Sequence, residues 1–132
     1  MGASFCAVFE ADVPPHGTLG GDHPALLRRQ RRLDRLAAAA GLTPLGAFES
    51  YDPADAAGYL GEGDEPPADL PPVRWFPAAA GLAAVRALAA HLAAHPDAVS
   101  GPPEVASELE GLAGELADAE RAGVRFRFAV VP

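Results

Sequence analysis

A chain of 132 residues, 49% of them hydrophobic, is long enough to bury one core and too apolar to stay disordered. Its formal charge of −8 sets it against phosphate backbones, which removes nucleic acid from the expected partners. Its single cysteine, Cys6, cannot form an internal disulfide and fits a reducing compartment.

The chain contains no Lys, Asn or Ile, and is rich in Ala, Arg, Gly and Pro. That pattern is the mark of a GC-rich genome, so an arginine here stands where lysine would serve elsewhere. No apolar run approaches the roughly 18 residues of a membrane helix. The first residues lack a basic region, and Glu10 and Asp12 break the apolar stretch too early for a secretion signal. The expectation is a cytoplasmic protein with no membrane association, folded as one domain over 1–132 and carrying no cofactor.

The run Ser4–Ala11 mixes aromatic and β-branched residues and reads as a strand. It ends toward Pro14 and Pro15, which offer no donor to a ladder. A loop, 16–22, leads to a helix with Asp22 as N-cap and Pro24 in its first turn. Leu26, Leu27, Leu33, Leu36, Ala37 and Ala40 give that helix an apolar stripe. Gly41 ends it, with Leu42 placed to fold back onto it.

A short second helix is expected from Asp52, a cap, to about Gly61. Four prolines and four acids make 62–72 an exposed, extended loop. The third helix runs from Pro77 or Ala78 to His95, with Leu82, Val85, Leu88, Ala89 and Leu92 as its stripe. The fourth runs from the Ser100–Pro103 breaker to Ala122. Its Val105, Leu109, Leu112, Leu116 and Ala119 step by four and three residues. Gly123 closes it, and 124–130 alternates as a second strand.

The fold class is therefore α/β or α+β. A small two-stranded sheet, made by the terminal strands, packs against about four helices in the order β-α-α-α-α-β. If each long element reverses direction, the two strands run parallel with a right-handed connection. A two-stranded sheet leaves edges that can pair with a second copy, so a homodimer is a physical possibility.

Glu10, Asp12, His16, Asp22 and His23 fall within fourteen residues after the first strand. Asp12, His16, Asp22 and His23 have the chemistry of a divalent-metal site, where a bound water would do hydrolysis. The plainer reading is a strand end followed by a helix cap. His91 and His95 share a helix face, but Leu92 stands where a zinc-protease helix needs its glutamate. Ser4, Ser50, Ser100 and Ser107 show no nucleophile elbow, and Cys6 reads as a small buried hydrophobe. Gly17–Gly21 has the look of a phosphate loop. It lacks the lysine and the spacing, and Asp22 would repel a phosphate.

Charge is segregated. Five of the ten basic residues fall at 28–35, whereas 48–70 and 97–120 each carry seven acids and no base. Either these stretches meet oppositely charged partners, or the basic helix packs near the acidic one and the charges neutralise internally. Trp75 and Phe76 follow the acidic proline loop. They are either an aromatic anchor for a partner or a plug at the entrance of the third helix.

Val73-Arg74-Trp75-Phe76, Gly81-Leu82 and Gly123-Val124-Arg125-Phe126 together resemble a pattern in small bacterial α/β proteins. The resemblance covers most of the chain. It implies a bacterial cytoplasmic α/β domain and carries no catalytic residue with it.

The function expected from charge is a non-enzymatic interaction protein of antitoxin, immunity or adaptor type. Its acidic surface, built from Glu62, Asp64, Glu65 and Asp69 with Trp75 and Phe76, or from the acidic face of the fourth helix, would take a basic protein. The alternative is a metal-dependent or small-ligand enzyme using the loop after the first strand. That alternative leans on parallel strands, because open α/β sheets bind ligands at the carboxyl ends of their strands.

Overall fold

The computed structural model describes residues 3–53 and 71–131. The terminal strands do pair, but they run antiparallel. β1 (Ser4–Val13) lies between β2 (Gly17–Leu19) and β3 (Phe126–Val131) in a three-stranded antiparallel sheet. The β1–β3 register runs from Ser4 opposite Val131 to Phe9 opposite Phe126. The expectation of parallel strands is thus corrected. β1 turns back on itself through Pro14–His16, where His16 N–H donates to Val13 O (2.6 Å), and β2 is the returning arm. Three residues are too few to show a period of two, so the sequence carries no sign of β2.

Four α-helices follow among the described residues: α1 (Pro24–Arg28), α2 (Gln30–Ala39), α3 (Ala78–Ala94) and α4 (Pro102–Ala122). The first predicted helix is two helices. The chain leaves helical geometry at Arg29 (φ −111°, ψ 11°) and resumes at Gln30. The second predicted helix beyond Pro53 and most of the acidic loop lie outside the described residues. So do Glu62, Asp64, Glu65 and Asp69.

The predicted stops hold. At the end of α2, Gly41 (φ +75°) lets Leu42 N–H reach Ala37 O (2.8 Å). At the end of α4, Gly123 (φ +69°) lets Val124 N–H reach Ala119 O (3.0 Å). Both are left-handed glycine caps of the same kind, and both return a hydrophobic residue, Leu42 or Val124, to the core.

Phe5, Ala7 and Phe9 of β1 and Phe126 and Phe128 of β3 share the sheet face that meets the helices. Against them pack Leu26, Leu33, Val85, Leu88, Leu109, Leu112 and Leu116, all almost fully buried. The apolar stripes read from the sequence are the faces that are buried. α3 crosses the sheet closely at Gly81, where a Cβ would lie 2.2 Å from the Phe126 ring. No helix among the described residues is long and apolar enough to cross a membrane.

Candidate interaction surface

The residues nominated for metal chemistry do not converge. Among the described residues no three His, Cys, Asp or Glu side chains stand together as a metal cluster. Each loop histidine faces a carboxylate of α4 instead. His16 Nε2 donates to Asp118 Oδ2 (2.8 Å), and His23 Nε2 donates to Glu115 Oε2 (3.1 Å). Asp12 is exposed near the end of β1, and Asp22 is exposed on the loop, where His23 and not Asp22 immediately precedes α1.

The carboxylates of α4 work as a row of fasteners. Glu104, Glu108, Glu115 and Asp118 each stand one residue before a member of the apolar stripe, with Gly111 in the remaining place. Glu104 lies near Arg28 (3.8 Å). Glu108 accepts the N–H groups of Ala25 and Leu26, both at 3.0 Å, and so caps α1 from another helix. Glu115 Oε1 accepts the Gly21 N–H (2.9 Å). Gly20 lies so close that a Cβ there would meet Glu115 Oε1 at 2.3 Å. Within the glycine-rich loop the Gly21 amide meets a carboxylate, the chain's own Glu115, while the Gly20 amide bonds Ala7 O (2.8 Å).

The basic and acidic helices therefore do meet, and much of the acidic face of α4 is spent within the monomer. Arg29 donates from Nε to Ser100 O (2.6 Å), and Arg32 from Nε to Ala98 O (3.2 Å). His91 and His95 stand with ring centroids 4.6 Å apart at the end of α3. Cys6 is buried in the central strand. Burial pushes its thiol pKa up, and the charges of Asp22 and Glu115 add to the rise.

The other sequence-nominated feature lies at the outer edge of β3. Phe76 exchanges backbone hydrogen bonds with Phe126 (2.8 and 2.9 Å), and Ser50 N–H donates to Phe128 O (3.1 Å). Two separate segments thus extend the sheet by single bridges, at Glu49 and at Phe76. Bridge partners point to the same side, so Phe76 faces the core with Phe126 and packs edge-on to Phe48, ring centroids 5.4 Å apart. Its neighbour Trp75 takes the opposite side, half-buried, with the Arg127 guanidinium 5.2 Å from its ring centroid.

Arg127, which alternation also places on the face away from the helices, donates from Nη1 to Ser50 O (2.7 Å). Ser50 Oγ accepts the Arg74 N–H (2.8 Å). The Tyr51 hydroxyl donates to Glu49 and accepts the Val130 N–H (3.0 Å). Burial first, and then the hydrogen bond to Glu49, push its pKa up to about 12. Glu49, Tyr51, Asp52 and Arg74, with Pro53 and Pro71, line an open cleft of about 310 Å3 at this edge.

The sequence nominated Trp75 within Val73-Arg74-Trp75-Phe76 but gave no sign of Tyr51 or Arg127, which the fold brings to the same edge. An arginine in a strand of an arginine-rich chain gives no local sign that it will stack on a tryptophan about fifty residues earlier. Compared with known protein families, with curated proteins and with solved structures, the chain matches none.

Proposed function

We propose that the protein is a cytoplasmic, non-enzymatic interaction protein of antitoxin, immunity or adaptor type, which captures a basic macromolecule beside the outer edge of β3. The observation that carries this reading is the arrangement around Trp75. A half-buried tryptophan, held by Arg127, follows in the chain directly after Arg74, whose guanidinium lies over Phe76, and Arg74 and Tyr51 both line an open cleft at this edge. Trp, Tyr and Arg are the residues that dominate binding hot spots.

The two ends of the acid-rich stretch support the sign of the partner. Pro53 and Pro71, where the chain enters and leaves residues 54–70, both line that cleft. The stretch between them includes Glu62, Asp64, Glu65 and Asp69. A basic partner would be steered by those acids and anchored by the aromatic groups. The acids of α4 serve this role less well, because Glu108, Glu115 and Asp118 already hold the loop and α1.

The test is capture from a bacterial lysate by the immobilised chain and by the variant E62Q/D64N/E65Q/D69N. Wild type should retain basic proteins at low salt and release them near 1 M, where the screening length falls to about 3 Å. The variant should retain few of them, and Trp75→Ala should weaken retention by about tenfold or more. Retention indifferent to salt and to all five substitutions would refute the reading.

A further inference from the structure

α3 is apolar on every side. Arg86 is the one ionised residue along its 17, with His91 the only other polar side chain. A helix with that pattern is normally covered all round. Here Leu82, Val85, Leu88 and Leu92 are buried, but Ala79, Ala83, Ala90 and Ala93 are exposed.

The uncovered side adjoins a hollow surface. Between α3 and α4 runs a groove of about 470 Å3, floored by Val85 and Leu109 and walled by Ala89, Ala113 and Gly114. A second hollow of about 250 Å3 shares Ala89 and Leu109 with it and extends it to Leu92. Arg86 lines the groove from α3, and Glu110 lines it from α4. Both are exposed, and neither is in an ion pair with another described residue.

That charge arrangement matches itself under a two-fold rotation. An axis running along the groove sets α3 of one copy over α4 of the other and brings Arg86 over the partner's Glu110, twice. An axis across the groove would set α3 on α3 and Arg86 on Arg86, which is repulsive. Self-complementarity of this kind is what an isologous interface requires. Each copy carries a charge of −8, so contact is favoured where acids are balanced by bases, as they are here.

The sheet edges are poorer places to join. The outer edge of β3 is already bonded at Phe126, Phe128 and Val130. The outer edge of the sheet on the other side is the three-residue β2. We propose that a second copy of this chain packs into the α3–α4 groove about a two-fold axis along it, forming a four-helix interface with reciprocal Arg86–Glu110 pairs.

Light scattering coupled to size exclusion, from about 1 to about 100 μM, tests this on the full chain. Wild type should show twice the monomer mass. Arg86→Glu and Glu110→Arg should each raise the dissociation constant by about tenfold or more, and the double reversal should restore the dimer. Circular dichroism checks that each variant is folded. A wild-type monomer across the whole range would overturn the proposal. So would a dimer that ignores both single reversals, a dimer that the double reversal fails to restore, or one that only Thr18→Pro, at the β2 edge, dissociates.

Discussion

Glu115 is 6% exposed on α4, and its two oxygens are committed to the Gly21 N–H and to His23. His23 is equally buried, so the pair has exchanged water for itself. Removing Glu115 strands His23 and the Gly21 amide together. Glu115→Ala should therefore cost about 3 kcal/mol in urea unfolding, and Glu115→Gln clearly less, because an oxygen remains for Gly21. The contact spans 92 positions in sequence, and neither residue sits in a motif, which is why the sequence showed two unplaced histidines and no partners. Tyr51 offers a different check. Its hydroxyl pKa is raised to about 12, against an ordinary value of 10.0. Between these two pH values the unfolded chain releases the tyrosine proton and the folded chain keeps it. The contribution is present below pH 10 and is lost as pH rises through 12. Ultraviolet titration should show a late tyrosine transition, absent in Tyr51→Phe, and wild-type stability should fall more steeply over that window than the variant's.

Two glycines within helices separate packing from propensity at the scale of elements. Glycine inside a helix ordinarily costs roughly 1 kcal/mol relative to alanine. At Gly111 of α4 the nearest foreign atom to a new Cβ would be His23 Cε1 at 3.8 Å, an ordinary contact. Gly111→Ala should then stabilise the protein by about 0.5–1 kcal/mol. At Gly81 of α3 the same change would press on Phe126, itself fully buried between sheet and helix. Gly81→Ala should destabilise by about 2 kcal/mol despite its better helix propensity. Thermal unfolding of the pair reads the opposite signs directly. The long helices and β3 were legible because their periods of 3.6 and 2 run long enough to count, and β1 because it concentrates aromatic and β-branched residues. The glycine caps were legible because left-handed turns select that residue. Strand direction was not, because it depends on how many reversals lie between the ends, and β2 is a reversal of three residues with no signature. The break at Arg29 was equally silent, since it interrupts the backbone without interrupting the leucine stripe.

At the scale of the whole molecule, the acidic helix α4 is tied to the loop after β2 and to α1 through backbone amides and histidines more than through the arginines. The carboxylates of α4 draw in α1 and the loop after β2, while the sheet and α3 close the core behind them. The exposed pairs, Arg28 with Glu104 at 3.8 Å and Arg125 with Glu10 at 2.7 Å, add little to this. The buried fasteners therefore decide how readily the domain opens, and Cys6 can report it. Its side chain lies in the central strand, 2% exposed, with its thiol pKa raised by burial and by Asp22 and Glu115. Both access and thiolate content are suppressed in the folded state, so a disulfide reagent reacts only with opened molecules. Labelling of the native chain should be slower than in concentrated urea by a factor of about 1,000 or more. Glu115→Ala has two routes to faster labelling, since it also removes one of the charges acting on the thiol. His23→Ala keeps that carboxylate and breaks the same fastener. If labelling follows opening, both variants should label faster, each in proportion to its own loss of stability in urea. If only Glu115→Ala labels faster while both lose stability, Cys6 is reached by a local movement of β1, and the fasteners do not govern the core.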